Sequence, residues 1–139
     1  MIIDFHTHVF PDSIAKKAVD SLAARSKTIP KRDGTLYSLK ESMKKSGIDI
    51  SVVLTVVTSP KQFNSINAYS AEKNEIDGVI FFGGIHPDCE NIKDKLKQIK
   101  SLGLKGIKLH PDYQNTFIDD IKYINIISEA VNIGLKVIL

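Results

Sequence analysis

Four histidines are the most informative residues of this chain. Two of them, His6 and His8, stand one residue apart in the opening stretch MIIDFHTHVFPD. Side chains two apart on a strand point the same way, so these imidazoles can approach one ion from one side. Neutral imidazole suits Zn²⁺ and similar divalent metals at ~2.0–2.1 Å. A catalytic metal would need at least one more protein ligand and an open position. Asp4 shares the parity of the pair and is a candidate for supporting it or meeting substrate. The other two histidines lie in GIHPD (His86) and KLHPD (His110). Lys108 shares a strand direction with His110, and these two are the candidate catalytic residues. His86 is a candidate for a supporting or substrate contact. Each feature also has an ordinary reading. An isolated HxH serves equally as two exposed histidines, His86 as a loop or helix-entry cap, and Lys108 as a buried amine paired with a carboxylate. Cys89 reads as a loop thiol without a role.

The elements that must position these residues alternate between short β-rich runs and amphipathic helices. Strand one is expected over Ile2–Phe5. A helix follows from about Asp12, with Ile14, Ala18, Val19 and Leu22 on its apolar face. After the polar stretch Ser26–Gly34, a second helix starts near Thr35 and stops at Ser46-Gly47. IDISVVLTVV, residues 48–57, reads as a strand buried on both faces. A helix through KQFNSINAYSAEKNEI leads to strand three, VIFFGGIHP. A helix from about Asn91 with Ile92, Leu96, Ile99 and Leu102 inward is closed by Gly103. Strand four is short, GIKLHP. A last helix, about Ile118–Asn132, is expected to turn Ile121, Ile124, Ile127 and Val131 inward. GLKVIL begins a fifth strand.

Strands alternating with helices across short connections predict an α/β chain with a parallel sheet and outer helices. A doubly wound sheet and a (β/α) barrel both fit. No glycine-rich phosphate loop follows strand one, and the FGGIHP glycines lack the GxGxxG spacing. They read better as room for close packing at a barrel mouth. All four histidines fall at the C-terminal ends of expected strands, the edge where such folds place their chemistry. Strands one and four each alternate an apolar face with a polar one, which a closed barrel explains as its interior.

Composition narrows the class. A chain of 139 residues, 42% hydrophobic and 25% charged, is one ordinary domain that can bury a core. The net charge of +3 is spread along the chain, which argues against nucleic acid as a partner. One cysteine allows no internal disulfide. There is no signal-peptide pattern and no run of ~20 apolar residues, so a cytoplasmic location without membrane insertion is expected.

Four pieces in order, IDFHTHVFP, SMKKSGIDISVVL, FFGGIHPD and GLKGIKLHPDYQ, resemble the amidohydrolase superfamily, in particular its amidohydrolase-2 branch of metal-dependent hydrolases and decarboxylases. The resemblance covers essentially the whole chain. It implies a (β/α)₈ barrel with a divalent metal, usually zinc, at its C-terminal mouth. His6 and His8 match the strand-one ligand pair, and a metal-activated water would attack a small carbonyl, amide or ester substrate. Lys108 matches the place where some members use a carboxylated lysine.

Such a barrel needs eight strands and typically ~250 residues. The four strands and the start of a fifth predict one partial barrel domain over residues 1–139, the N-terminal half of a larger enzyme and inactive alone. Its open strand edges predict association as a homodimer. The expected function is a metal-dependent hydrolase. A non-oxidative decarboxylase of the same branch and a TatD-type metal-dependent nuclease are the alternatives. The nuclease ranks lower because those proteins usually carry a glutamate where this chain has GIKLHP. A half-barrel that binds metal or a partner without turnover is the non-enzymatic reading.

Overall fold

The computed structural model describes residues 1–139. Five parallel strands separated by helices form the α/β framework of half a (β/α)₈ barrel, and the strands follow one another in chain order. The chain divides into two compact units, Met1–Val53 and Leu54–Leu139. No helix is long and apolar enough to cross a membrane.

In the first unit, β1 (Ile3–Thr7) pairs in parallel with β2 (Ile50–Leu54). The ladder begins regularly with Ile3 opposite Ile50 and Asp4 opposite Ser51. It then slips, because Thr7 lies opposite Val53, so three steps on β1 match two on β2. This is a bulge, and strict alternation of side chains does not run through it. Helix α1 (Asp12–Ser26) buries Ala15, whereas Ile14 is 49% exposed. The inward face of α1 is therefore centred one residue later than the apolar spacing predicts. Helix α2 (Leu36–Ser46) starts where expected. The Thr35 hydroxyl accepts the Ser38 N–H at 3.1 Å, and Asp33 in turn accepts the Thr35 N–H and hydroxyl. Those bonds hold the Asp33 carboxyl below its usual range. Gly47 ends α2 at φ +67°, a left-handed conformation that side chains resist.

The second unit carries α3 (Phe63–Lys73), β3 (Val79–Gly84), α4 (Ile92–Ser101), β4 (Gly106–Lys108), α5 (Ile121–Asn132) and β5 (Lys136–Ile138). Gly84 lies opposite Lys108, and Lys108 opposite Ile138. Asn67 fastens α3 to β3: its amide nitrogen donates to the Gly84 carbonyl at 2.9 Å, and its oxygen accepts the Gly84 N–H at 3.0 Å. A Cβ at Gly83 would meet that Asn67 oxygen, which is why a glycine stands there. The core of this unit includes Phe63, Phe81, Ile85, Leu96, Ile99, Ile107, Leu109 and Ile126.

Helix α5 corrects its expected orientation. Tyr123, Ile126 and Ala130 face the core, while Ile121 is 65% and Val131 59% exposed. The helix carries two apolar stripes, and spacing alone cannot rank them. The tie is broken by Tyr123, a larger apolar body whose hydroxyl finds a buried partner, the Gln114 side-chain oxygen.

Candidate functional site

In the first unit, the tip of β1 is anchored by Thr7, whose hydroxyl donates to the Val52 carbonyl at 2.9 Å. Thr7 and Val9 are buried, and His6 and His8 beside them are exposed. The two imidazole rings stand together, their centroids 5.0 Å apart at an interplanar angle of 67°. The rings are close to T-shaped, and imidazole nitrogens are the ligand type that divalent first-row ions take. A third ligand is not gathered with them: no group of three His, Cys, Asp or Glu side chains converges anywhere in the chain. Asp4 turns toward its own strand, where its Oδ1 accepts the His6 N–H at 3.2 Å. The bulge and this hydrogen bond set the backbone that carries His6.

In the second unit, His86 follows β3 and His110 follows β4. His86 is buried, and burial pushes its pKa below the ordinary histidine value. Its Nδ1 lies 3.8 Å from an Asp88 oxygen, a charge that opposes the shift. Desolvation wins, because that carboxylate is exposed and already holds Lys122 at 2.6 Å. The neutral ring accepts the Asp88 N–H on Nδ1 at 3.1 Å. His110 accepts the Tyr113 N–H on Nδ1 at 3.3 Å and stacks on the Tyr113 ring at 4.0 Å. Lys108 is 2% exposed, and burial alone lowers its pKa. No carboxylate pairs with it, so the expected alternative of a buried ion pair is absent. Burial likewise raises the Cys89 thiol, which leaves it protonated and unreactive.

Gln114, 3% exposed, was invisible to spacing arguments. Its amide nitrogen donates to the carbonyls of Val57 and Ile85, both at 2.8 Å. Its oxygen accepts the His110 N–H at 3.0 Å and the Tyr123 hydroxyl. One amide therefore binds the segments after β2, β3 and β4 and the inner face of α5, with its full hydrogen-bonding capacity used. The only hint in the sequence is its place four residues after His110. Asn67 was missed for the same reason, since a polar residue inside a helix normally reads as exposed.

No protein-family model matches this chain, and no curated protein does. Solved structures do share its fold. The 5-carboxyvanillate decarboxylase of Novosphingobium aromaticivorans, with bound manganese, is 17% identical with a TM-score of 0.67 over 99% of this chain and 49% of its own. The IDCase of Metarhizium anisopliae is 15% identical, with a TM-score of 0.70 over 99% of this chain and 49% of its own. A probable 2-pyrone-4,6-dicarboxylic acid hydrolase of Acinetobacter baumannii, with bound citric acid, is 16% identical with a TM-score of 0.55 over 98% and 48%. The chain spans about half the length of these structures. At such identities the likeness establishes the fold, that of half a TIM barrel. The expectation of zinc is corrected, since the carboxyvanillate decarboxylase of this fold is solved with manganese. Imidazole ligands suit several first-row ions, so ligand type alone could not choose among them.

Proposed function

We propose that this chain belongs to a metal-dependent enzyme of the amidohydrolase-2 type that decarboxylates a small carboxylate-bearing compound without an oxidant. The observation that carries this reading is the His6–His8 pair at the end of the first strand, rings 5.0 Å apart, in a fold shared with a manganese-containing decarboxylase. His6 and His8 would hold a divalent cation, read here as manganese. Bound there, the cation supplies Lewis acidity toward a substrate oxygen.

The roles of the other residues follow from their surroundings. Asp4 braces the His6 backbone. Lys108 brings a buried amine with no protein counter-charge, so a substrate anion is the partner that would stabilise its ammonium. In the reaction the bond to the carboxyl carbon breaks and CO₂ departs. The bonding pair stays on the remaining carbon, which takes a proton. His110 is the proposed proton source, and His86 a substrate contact.

Hydrolysis is the second reading, supported by the likeness to the dicarboxylic acid hydrolase. There, water adds across the bond that breaks and no CO₂ is released.

Manganese titration followed by electron paramagnetic resonance tests the metal role. One bound ion is expected, with affinity falling about tenfold or more in His6→Ala and in His8→Ala. Undiminished binding in both variants would remove the basis of this reading.

A further inference from the structure

Lys108 is the only buried lysine of the chain. Its amine makes no hydrogen bond and no ion pair, and burial is the sole influence on its pKa. Ser51 Oγ is the only polar side-chain atom that is both sealed from solvent and without a hydrogen-bond partner. The Lys108 nitrogen is therefore not sealed, and the little of the residue that solvent touches includes its tip. The stem is enclosed and the amine is left reachable.

Its place in the sheet agrees. Lys108 ends β4, at the edge where parallel α/β folds bind small molecules. Its neighbours in register are Gly84 on β3 and Ile138 on β5, so on the β3 side no side chain stands level with it. Ile107 and Leu109 are fully buried and point to the opposite face, since the ladder runs on from the Leu109 N–H to the Ile138 carbonyl at 2.9 Å. An ordinary lysine is almost wholly protonated at neutral pH, and an ammonium has no lone pair to give. Burial favours the free amine, which is the nucleophile.

We propose that Lys108 is a covalent catalytic group whose amine forms an imine with the carbonyl of a β-oxo acid and so releases CO₂ without a metal. The nitrogen bonds to the carbonyl carbon, and the carbonyl oxygen leaves as water. The bond to the carboxylate carbon then breaks, CO₂ departs, and its electron pair flows to the imine nitrogen to give an enamine. The enamine carbon takes a proton, and water frees the ketone and restores the amine. This goes beyond the proposed function, in which the same amine meets an anion and a cation supplies the Lewis acidity.

Trapping with acetoacetate and sodium borohydride at neutral pH, with EDTA present, tests it on the 139-residue chain. Borohydride reduces the imine to a secondary amine that water cannot cleave. Trypsin does not cut after an alkylated lysine, so residues 106–122 stay in one peptide whose mass locates the label. Lys108 is expected to carry at least about tenfold more label than an exposed lysine such as Lys31. CO₂ release from acetoacetate should exceed the buffer rate, and Lys108→Arg, which keeps the charge but forms no imine, should lose both signals. Label spread over exposed lysines, or none at all, overturns the imine. Label at Lys108 with CO₂ release at the buffer rate overturns the decarboxylation. The manganese titration stands apart: lost metal binding with Lys108 labelled sinks only the metal reading, and intact metal binding with Lys108 unlabelled sinks only this one.

Discussion

Lys108 shows how a side chain can be costly to the fold and kept for another reason. Its ammonium is buried with no counter-charge, and desolvation lowers its pKa. At neutral pH the amine is charged in the unfolded chain, and burying that charge weakens folding. Lys108→Met is therefore expected to raise stability by about 1 kcal/mol at pH 7. The gap should shrink as pH climbs toward the ordinary lysine range, where the buried amine sheds its proton first and the penalty disappears. Urea unfolding at pH 7 and pH 10 reads both effects, and a destabilised Met variant would mean the ammonium already has a partner. Much at this scale was legible in advance. The one-residue gap between His6 and His8 was enough to foresee rings that meet. Asp4 was harder, because a bulge cannot be counted from one strand without its neighbour. The bonds that the Nδ1 atoms of His86 and His110 accept were hidden too, because they depend on amides whose direction only the folded turns define.

Among the elements, Tyr123 joins α5 to Gln114 and through it to the ends of β2, β3 and β4. Burial pushes its phenol up to about 12, against an ordinary value near 10. The folded state thus holds a proton that the unfolded chain gives up. Its contribution is complete below about pH 10 and is lost as pH rises toward 12. Tyr123→Phe should cost about 1–2 kcal/mol at neutral pH. It should also remove this alkaline loss, so the two stability curves converge above pH 10, as fluorescence-monitored denaturation across pH 8–11.5 would show. Caps and stops made α2 readable, bracketed by Thr35 and Gly47. Helix α5 opens three residues later than the expected Ile118, because the Asp120 side chain caps it by accepting the Lys122 N–H at 2.8 Å. Strands β2 to β5 are shorter than their apolar runs, whereas β1 runs on to Thr7, past the expected Phe5. β4 keeps only Gly106–Lys108, because beyond it Pro111 and the Gln114 bonds take the backbone into a turn. The orientation of α5 was not readable, since both of its stripes are apolar and only the tyrosine's buried partner decides between them.

At the scale of the molecule, the second unit leaves a large apolar surface in water. Ile121, Ile124 and Val131 are exposed on α5. A groove of about 410 Å³ between α5 and β5 is lined by Ile127, Val131, Leu135, Val137 and Leu139. Contiguous surface of this kind favours association. We expect concentration-dependent self-association of the 139-residue chain, reduced in the double variant Ile124→Lys, Val131→Lys. Size-exclusion chromatography with light scattering would show it, and a monomer at all concentrations would count against it. The order of the strands has a further consequence, for synthesis. Each strand's place in the sheet is next to the one translated just before it. The sheet can therefore be laid down vectorially as the polypeptide leaves the ribosome, each βα segment docking on its predecessor without waiting for distant chain.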